Sequence, residues 1–105
     1  EDFMVYHIVM WKFKPEIKEE DKAALKAAMC TNLKSLVGKV PGLLSLDFVT
    51  APIPSSTHDM ALVSTLEKAE DIRVYANHPD HLHVANTYIR PFVCERSCLD
   101  YEVMQ

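Results

Sequence analysis

The fold is decided by one stretch near the start of the chain, Met4-Val5-Tyr6-His7-Ile8-Val9-Met10-Trp11-Lys12-Phe13. It reads as a β-strand, because β-branched and aromatic residues dominate it and because Pro15 would interrupt a hydrogen-bond ladder just beyond it. Alternate residues point to opposite faces of a strand, and here both faces are mostly apolar. A small two-layer domain covers only one face of its sheet with helices. We therefore expect the other face to pack against a second copy of the chain.

The length and composition are typical of one globular domain. The chain has 105 residues, of which 49% are hydrophobic and 25% are charged. We assign the domain to residues 4–105 and treat residues 1–3 as a processing or cloning remnant without a structural role. The formal net charge of −4 is spread over interspersed acids and lysines, so no nucleic-acid partner is expected.

The cysteines and the beginning of the sequence favour a cytoplasmic protein. The chain has three cysteines, Cys30, Cys94 and Cys98, and their spacing matches neither a zinc site nor a CxxC motif. An odd number of cysteines with this spacing favours reduced thiols. The first residues lack the pattern of a secretion signal, and no apolar run is long enough to cross a bilayer. We therefore expect no membrane partner, and we predict no cofactor.

Hydrophobic periodicity and turn residues divide the chain into seven elements. We predict strands over residues 4–13, 43–50, 58–66 and 96–103, and helices over residues 19–37, 67–76 and from 79 to between 91 and 94. The order β-α-β-β-α-α-β is the split βαβ arrangement of ferredoxin-like folds. The predicted class is therefore α+β, with a four-stranded antiparallel sheet that has helices on one face and is open to a dimer mate on the other.

The segment YANHPDH, residues 75–81, is the strongest candidate for a site. A cap at Asn77 or His78 and Pro79 at the first helical position would place His81 in the first turn. There it would lie on the inward stripe that includes Tyr88, near the positive end of the helix dipole. That position favours a neutral imidazole, which can give or take a proton. The alternative is a structural histidine whose ring is satisfied by a backbone group.

The same region also contains a possible set of metal ligands. His78, His81 and His83 lie within six residues of one another, with Asp80 among them. Helical spacing aligns only His78 and His81, and two aligned ligands make no strong site. We therefore predict no metal site.

The chain resembles the stress-responsive A/B barrel domain family, also called Dabb, over nearly its whole length. Five stretches in the right order carry the resemblance: YHIVMWKFK at 6–14, VPGLLSL at 40–46, DMALVS at 59–64, YANHPDH at 75–81 and LDYEV at 99–103. The resemblance implies a dimeric α+β barrel, in which two sheets close face to face across a homodimer. Most members of the family have no known reaction.

One enzyme of that family, the plant cyclase that forms olivetolic acid, is similar to this chain at three positions. They are the first-strand histidine, His7, the tyrosine of the short helix, Tyr75, and the second histidine of the HPxH turn, His81. In the cyclase the tyrosine and that last histidine act as an acid/base pair for an aldol closure. This chain departs from the cyclase in the third strand, where Met60 stands in place of a histidine.

Two hypotheses about function remain open at this point. The first is a small-molecule-binding or stress-associated protein without catalysis. The second is a cyclase- or lyase-like enzyme that uses His81 and Tyr75, with His7 across the pocket, on an apolar substrate bearing a carbonyl group. A pocket beside these residues would favour the enzyme, and a filled core would favour the first hypothesis. Candidate ligand contacts are His78, Tyr88 and Trp11; the alternative for Trp11, which we favour, is filling of the core or of the interface.

Overall fold

The computed structural model describes residues 3–105 and has the predicted ferredoxin-like architecture. Four antiparallel strands form one sheet in the order β2-β3-β1-β4, and the helices cover one of its faces. The elements are β1 (Phe3–Phe13), α1 (Glu19–Lys34), β2 (Leu43–Val49), β3 (Met60–Leu66), α2 (Glu70–Asn77), α3 (Pro79–Val84), a π-helical turn (Ala85–Ile89) and β4 (Val93–Met104).

Strand β1 lies at the centre of the sheet, between β3 and β4. Its odd-numbered residues from Val5 to Phe13 are buried against the helices, where they meet Met29 and Leu33 of α1 in the core. The even-numbered residues from Met4 to Lys12 face the other side and are half-buried or exposed. The two-faced pattern of the opening strand therefore corresponds to one face in the core and one face that no element of residues 3–105 covers.

A β-bulge in β4 changes which of its residues face the helices. Lys12 pairs with Cys94 and Met10 pairs with Ser97, so two residues of β4 stand opposite Trp11. Glu95 adopts a positive φ of 51° at this point. Beyond the bulge, the even-numbered residues of β4 lie on the helix side of the sheet. The odd-numbered residues, Ser97, Leu99, Tyr101 and Val103, lie on the open face together with Tyr6, Ile8 and Met10 of β1.

The bulge also explains why β4 begins at Val93, three residues earlier than predicted. The alternation that signals a strand in the sequence holds only after the extra residue, whereas the pairing already begins at Phe13 and Val93. Helix α1 ends at Lys34 instead of residue 37, and α2 begins at Glu70 instead of residue 67. Terminal shifts of this size are common where helix ends fray into turns.

The start of the chain differs from expectation at one residue. Phe3, to which we gave no structural role, is the first residue of β1 and pairs with Met104. Glu1 and Asp2, the other two residues of the proposed remnant, lie outside the described residues. No helix within residues 3–105 is both long and apolar enough to cross a membrane.

Candidate functional site

A cavity of about 380 Å³ lies between the sheet and the helices α2 and α3. Its lining is largely apolar. Polar side chains enter the lining from β1, α2, α3 and β4. Four of the residues selected from the sequence line it together, namely His7, Trp11, Tyr75 and His81. The remaining apolar residues of the lining are Val9, Leu33, Leu62, Ile72, Ala76, Ala85 and Ile89. The core beneath the last helix is thus partly hollow.

His81 is held by the local structure of the HPxH turn. The His78 ring accepts a hydrogen bond from the Asp80 amide as the N-cap of α3, with Pro79 at the first helical position, as predicted. His81 Nδ1 donates to the carbonyl oxygen of Ala76 at 3.1 Å. A carbonyl can only accept, so the neutral ring carries its proton on Nδ1 and keeps a lone pair on Nε2.

The electrostatics of His81 favour the neutral ring. Burial lowers the pKa of His81 below its usual 6.5, and the nearby Arg90 guanidinium acts in the same direction, whereas the bond to Ala76 opposes them. The helix dipole, from which a lowered pKa was predicted, favours the same direction, but desolvation is the main cause. At neutral pH the ring is therefore available as a base.

Tyr75 projects from α2 into the same space. Its side chain is 2% exposed, and its hydroxyl has no hydrogen-bond partner among the described residues. Burial raises the pKa of Tyr75 above its usual value, so the phenol stays protonated. Its ring centroid lies 4.2 Å from that of His81 and 5.9 Å from that of His7. An unpaired buried donor is costly, so a hydroxyl in this state is a natural partner for a ligand oxygen.

His7 is fixed by a residue that the sequence analysis did not select. Its Nδ1 donates to Asp100 Oδ1 at 2.5 Å, and the pair forms because β1 and β4 place these residues directly opposite each other. Cys98 lies beside them, and its thiol donates to the same carboxylate oxygen at 3.6 Å. Burial and the neighbouring Asp100 charge raise the pKa of the Cys98 thiol. The alternation of β4 in the sequence was the only available signal for Asp100.

Two predicted ligand contacts lie outside the cavity. The His78 ring is engaged as the cap of α3, and Tyr88 is half-buried with its ring near that of His83, 6.4 Å between centroids. Tyr88 lies outside the cavity because the last helix contains a π-helical turn. This turn is closed by the hydrogen bond from the Arg90 amide to the Ala85 carbonyl. A π turn holds one more residue than an α turn, so Ile89 lines the cavity, whereas Tyr88 packs at the margin of the core.

The histidines of the HPxH turn do not assemble a set of metal ligands. Within residues 3–105, three side chains with ligand atoms inside 4.8 Å of one another occur instead at His7, Cys98 and Asp100. The cavity therefore brings together one base, one protonated phenol and one histidine oriented by a carboxylate. Such a set can transfer a proton at a carbon next to a carbonyl and hydrogen-bond the oxygen that becomes negative.

Comparison with known proteins gives one family and a consistent fold. The family model described as the stress responsive A/B barrel domain matches residues 5–103. A dimeric ferredoxin-like protein of unknown function from Bacteroides fragilis is 26% identical, with 95% of this chain and 96% of that chain covered and a TM-score of 0.87.

More distant structures share the fold alone. A dimeric ferredoxin-like protein of unknown function from Thermobifida fusca is 20% identical, over 98% of this chain and 93% of that chain, with a TM-score of 0.77. A hydroxynitrile lyase from Passiflora edulis is 18% identical, over 98% of this chain and 95% of that chain, with a TM-score of 0.73. Among proteins with curated functions, none is significantly similar to this chain.

Proposed function

Because this chain belongs to the stress responsive A/B barrel domain family, we propose that it is a homodimeric barrel that binds a small, largely apolar molecule bearing a carbonyl group. The observation that carries the proposal is the cavity of about 380 Å³ beside His81 and Tyr75. Its volume falls within the range of roughly 300–1,000 Å³ that is usual for small-molecule sites. Its apolar walls suit a hydrocarbon body, and the Tyr75 hydroxyl suits one ligand oxygen.

The open face of the sheet supports the homodimer. Leu99 is 61% exposed and Tyr101 is 41% exposed in the single chain, and the Tyr101 ring stacks on Tyr6 at 5.3 Å. Contiguous apolar surface of this kind marks an interaction site. Relatives with the same fold from Bacteroides fragilis and Thermobifida fusca are described as dimeric. Two copies of this chain would cover the face by closing sheet on sheet.

A thermal-shift experiment with a cavity-filling variant tests ligand binding. Matched pairs of small ketones and hydrocarbons are added to the purified chain and to the variant Ala85→Met, which extends a side chain into the cavity. At about ten times Kd, a bound ketone should stabilise the wild-type chain by about 1.4 kcal/mol and raise Tm by several degrees. Ala27→Met, on the exposed side of α1, is the control for the substitution itself.

The proposal requires a shift in the wild-type chain and in Ala27→Met, and a much smaller one in Ala85→Met. Equal shifts in all three proteins would place the ligand elsewhere and overturn it. Ketones should give larger shifts than the hydrocarbons of the same shape, since only the ketones can accept a hydrogen bond from Tyr75.

A second candidate function, proton transfer on the bound molecule, is favoured by the tautomer of His81. With Nδ1 engaged by Ala76, Nε2 can remove a proton from the carbon next to the carbonyl, and Tyr75 can donate a hydrogen bond to the resulting enolate oxygen. Aldol cyclisation proceeds through such a step, and so do lyase reactions that eliminate a group β to a carbonyl. The similarity to the plant polyketide cyclase at His7, Tyr75 and His81 supports the same chemistry.

Hydrogen–deuterium exchange tests this step without knowledge of the natural product. A ketone that binds is incubated with the protein in D₂O, and loss of its α-proton signal is followed by NMR. His81→Gln should slow the exchange by about 10²- to 10⁴-fold, the usual contribution of a general base. His83→Gln, an exposed histidine on the same helix, should leave the rate unchanged. Exchange that persists in His81→Gln would refute the role of His81.

The cysteines support a cytoplasmic location for this proposed activity. Cys30, Cys94 and Cys98 are all free thiols. Reduced thiols are the usual state of cysteines in the cytoplasm.

A further inference from the structure

Three potential metal ligands of different chemistry meet at the rim of the cavity. His7 contributes Nδ1, Cys98 contributes Sγ and Asp100 contributes Oδ1, all within 4.8 Å of one another. His7 is 6% exposed and lies on the central strand, whereas the other two residues come from the edge strand and are open to solvent. A metal ion can therefore reach the cluster from solvent through Cys98 and Asp100, and the buried His7 ring provides a fixed ligand.

The distances between these atoms are near those of a tetrahedral site. Zinc lies about 2.3 Å from sulfur and about 2.0–2.2 Å from nitrogen and oxygen, which puts tetrahedral ligands about 3.4–3.6 Å apart. The sulfur of Cys98 lies 3.9 Å from His7 Nδ1 and 3.6 Å from Asp100 Oδ1. Only the hydrogen-bonded pair of His7 and Asp100, 2.5 Å apart, would need to widen, by a rotation of the exposed carboxylate.

We propose that His7, Cys98 and Asp100 form a binding site for a zinc-type divalent cation at the rim of the cavity. On binding, the Cys98 thiol proton leaves to solvent, and the His7 proton moves from Nδ1 to Nε2 through solvent. Thiolate and carboxylate then supply two negative charges to a cation with two positive charges. Mixed sulfur, nitrogen and oxygen ligands suit zinc and similar borderline metals and do not suit magnesium or calcium.

The site has three protein ligands, so one tetrahedral position remains free. All three residues also line the cavity, and the free position therefore opens to water or to a molecule bound there. Three ligands with one open position are the pattern of catalytic zinc, whereas structural zinc has four protein ligands. The prediction of no metal site rested on the spacing of the HPxH histidines alone. No local spacing could signal the present cluster, because His7 and Cys98 are 91 residues apart and the pairing of β1 with β4 brings them together.

Cobalt(II) titration tests the site with a readout that is independent of any enzymatic activity. The full chain is stripped of metal with a chelator and titrated with Co²⁺, while sulfur-to-cobalt charge-transfer absorption is recorded in the near ultraviolet. One cobalt per chain should bind with this absorption, and added Zn²⁺ should abolish it by displacement. Cys98→Ser should remove the absorption, and Asp100→Asn should weaken cobalt binding by at least about tenfold.

Cys94→Ser is the matched control, because Cys94 lies on the same strand and its thiol donates to the Phe13 carbonyl, outside the cluster. It should keep both the absorption and the affinity of the wild-type chain. The proposal is wrong if wild-type protein binds no cobalt, if it binds cobalt without the sulfur absorption, or if Cys98→Ser keeps that absorption. Circular dichroism of each variant verifies that the fold is retained. Ketone binding is measured separately, with and without zinc. Failure to bind cobalt would contradict the metal site, whereas failure to bind ketones would contradict the proposed function.

Discussion

The ring of Tyr75 packs against the imidazole of His81 with 4.2 Å between centroids, although the two residues lie on separate helices. The break between those helices is responsible. His78 ends α2 and caps α3 in an extended conformation, with ψ of 134°. A continuous helix would place residues six apart on different faces, whereas the break turns both rings toward His7 on the central strand. The HPxH turn therefore builds the site as well as capping a helix.

Replacing Tyr75 by Phe should separate stability from function. The variant removes a buried hydroxyl that has no partner among the described residues, so the free energy of unfolding should stay the same or rise by up to about 1 kcal/mol. Exchange of a bound ketone's α-proton should fall by about 10²- to 10³-fold, because the enolate oxygen loses its donor. Urea denaturation and NMR exchange measure the two effects.

Tyr88→Phe is the control for this substitution, since Tyr88 is half-buried outside the cavity. It should change neither the exchange rate nor ketone binding. A loss of stability in Tyr75→Phe would show that the hydroxyl has a structural partner, and unchanged exchange would remove Tyr75 from the mechanism.

The pH dependence of stability should reveal the neutral state of His81. Because burial lowers its pKa in the folded chain, the unfolded chain binds a proton more readily below pH 6.5. The contribution of His81 to stability is therefore complete above pH 6.5 and is lost as the pH falls from there toward the folded pKa. Urea denaturation between pH 7.5 and 5 should show this decline, and His81→Gln should show less of it.

NMR titration of the His81 ring measures the pKa of this residue in the folded chain directly. A pKa below 6.5 is expected, and a value above 6.5 would contradict the dominance of burial over the hydrogen bond to Ala76. The spectrum of His81→Gln identifies the His81 ring signals by their absence.

The fold could be read from the sequence because its main signals are local. Apolar residues on both faces of β1 are typical of a central strand, and the sequence around Pro79 contains both the cap and the first turn of α3. These features depend on neighbours a few residues away. The grouping of His7, Tyr75 and His81 followed from family resemblance, and the structure brings those three residues to one cavity.

The parts that could not be predicted depend on strand register and on a helix irregularity. Asp100 reaches His7 only because the bulge at Glu95 shifts β4 by one residue, and no local pattern specifies that shift. Tyr88 was expected in the cavity from regular helical spacing, and the π turn replaces it there with Ile89. Both differences arise from one extra residue in an otherwise regular element.

The open face of the sheet predicts the behaviour of the chain in solution. Light scattering should give a mass of about twice 12.0 kDa for the wild-type chain. Leu99→Lys should raise the dimer dissociation constant by at least about tenfold, because a two-fold axis repeats the buried charge. Val74→Lys, at an exposed apolar residue of α2, should leave the dimer intact. A stable wild-type monomer would refute the sheet-on-sheet arrangement.

The contact of Gly42 with Asp71 predicts unequal effects at the two glycines of the chain. Gly38 and Gly42 both have positive φ, 91° and 84°, so alanine at either position should cost about 1 kcal/mol in backbone strain. A Cβ at Gly38 meets nothing within 4 Å, whereas at Gly42 it would lie 2.4 Å from Asp71 Cγ. Gly42→Ala should therefore cost about 1–3 kcal/mol more than Gly38→Ala in urea denaturation.

A double-mutant cycle identifies Asp71 as the cause of that excess. In the Asp71→Ala background the carboxylate 2.4 Å from the new methyl group is gone, while the Cβ of residue 71 at 2.9 Å remains, so the extra cost of Gly42→Ala should fall without vanishing. Gly38→Ala should cost the same in both backgrounds. If Gly42→Ala were equally costly with and without the Asp71 carboxylate, that carboxylate would not be the source of the excess. The crowding between residue 42 and the first turn of α2, next to the Ile72 wall of the cavity, would then come from the Cβ of residue 71.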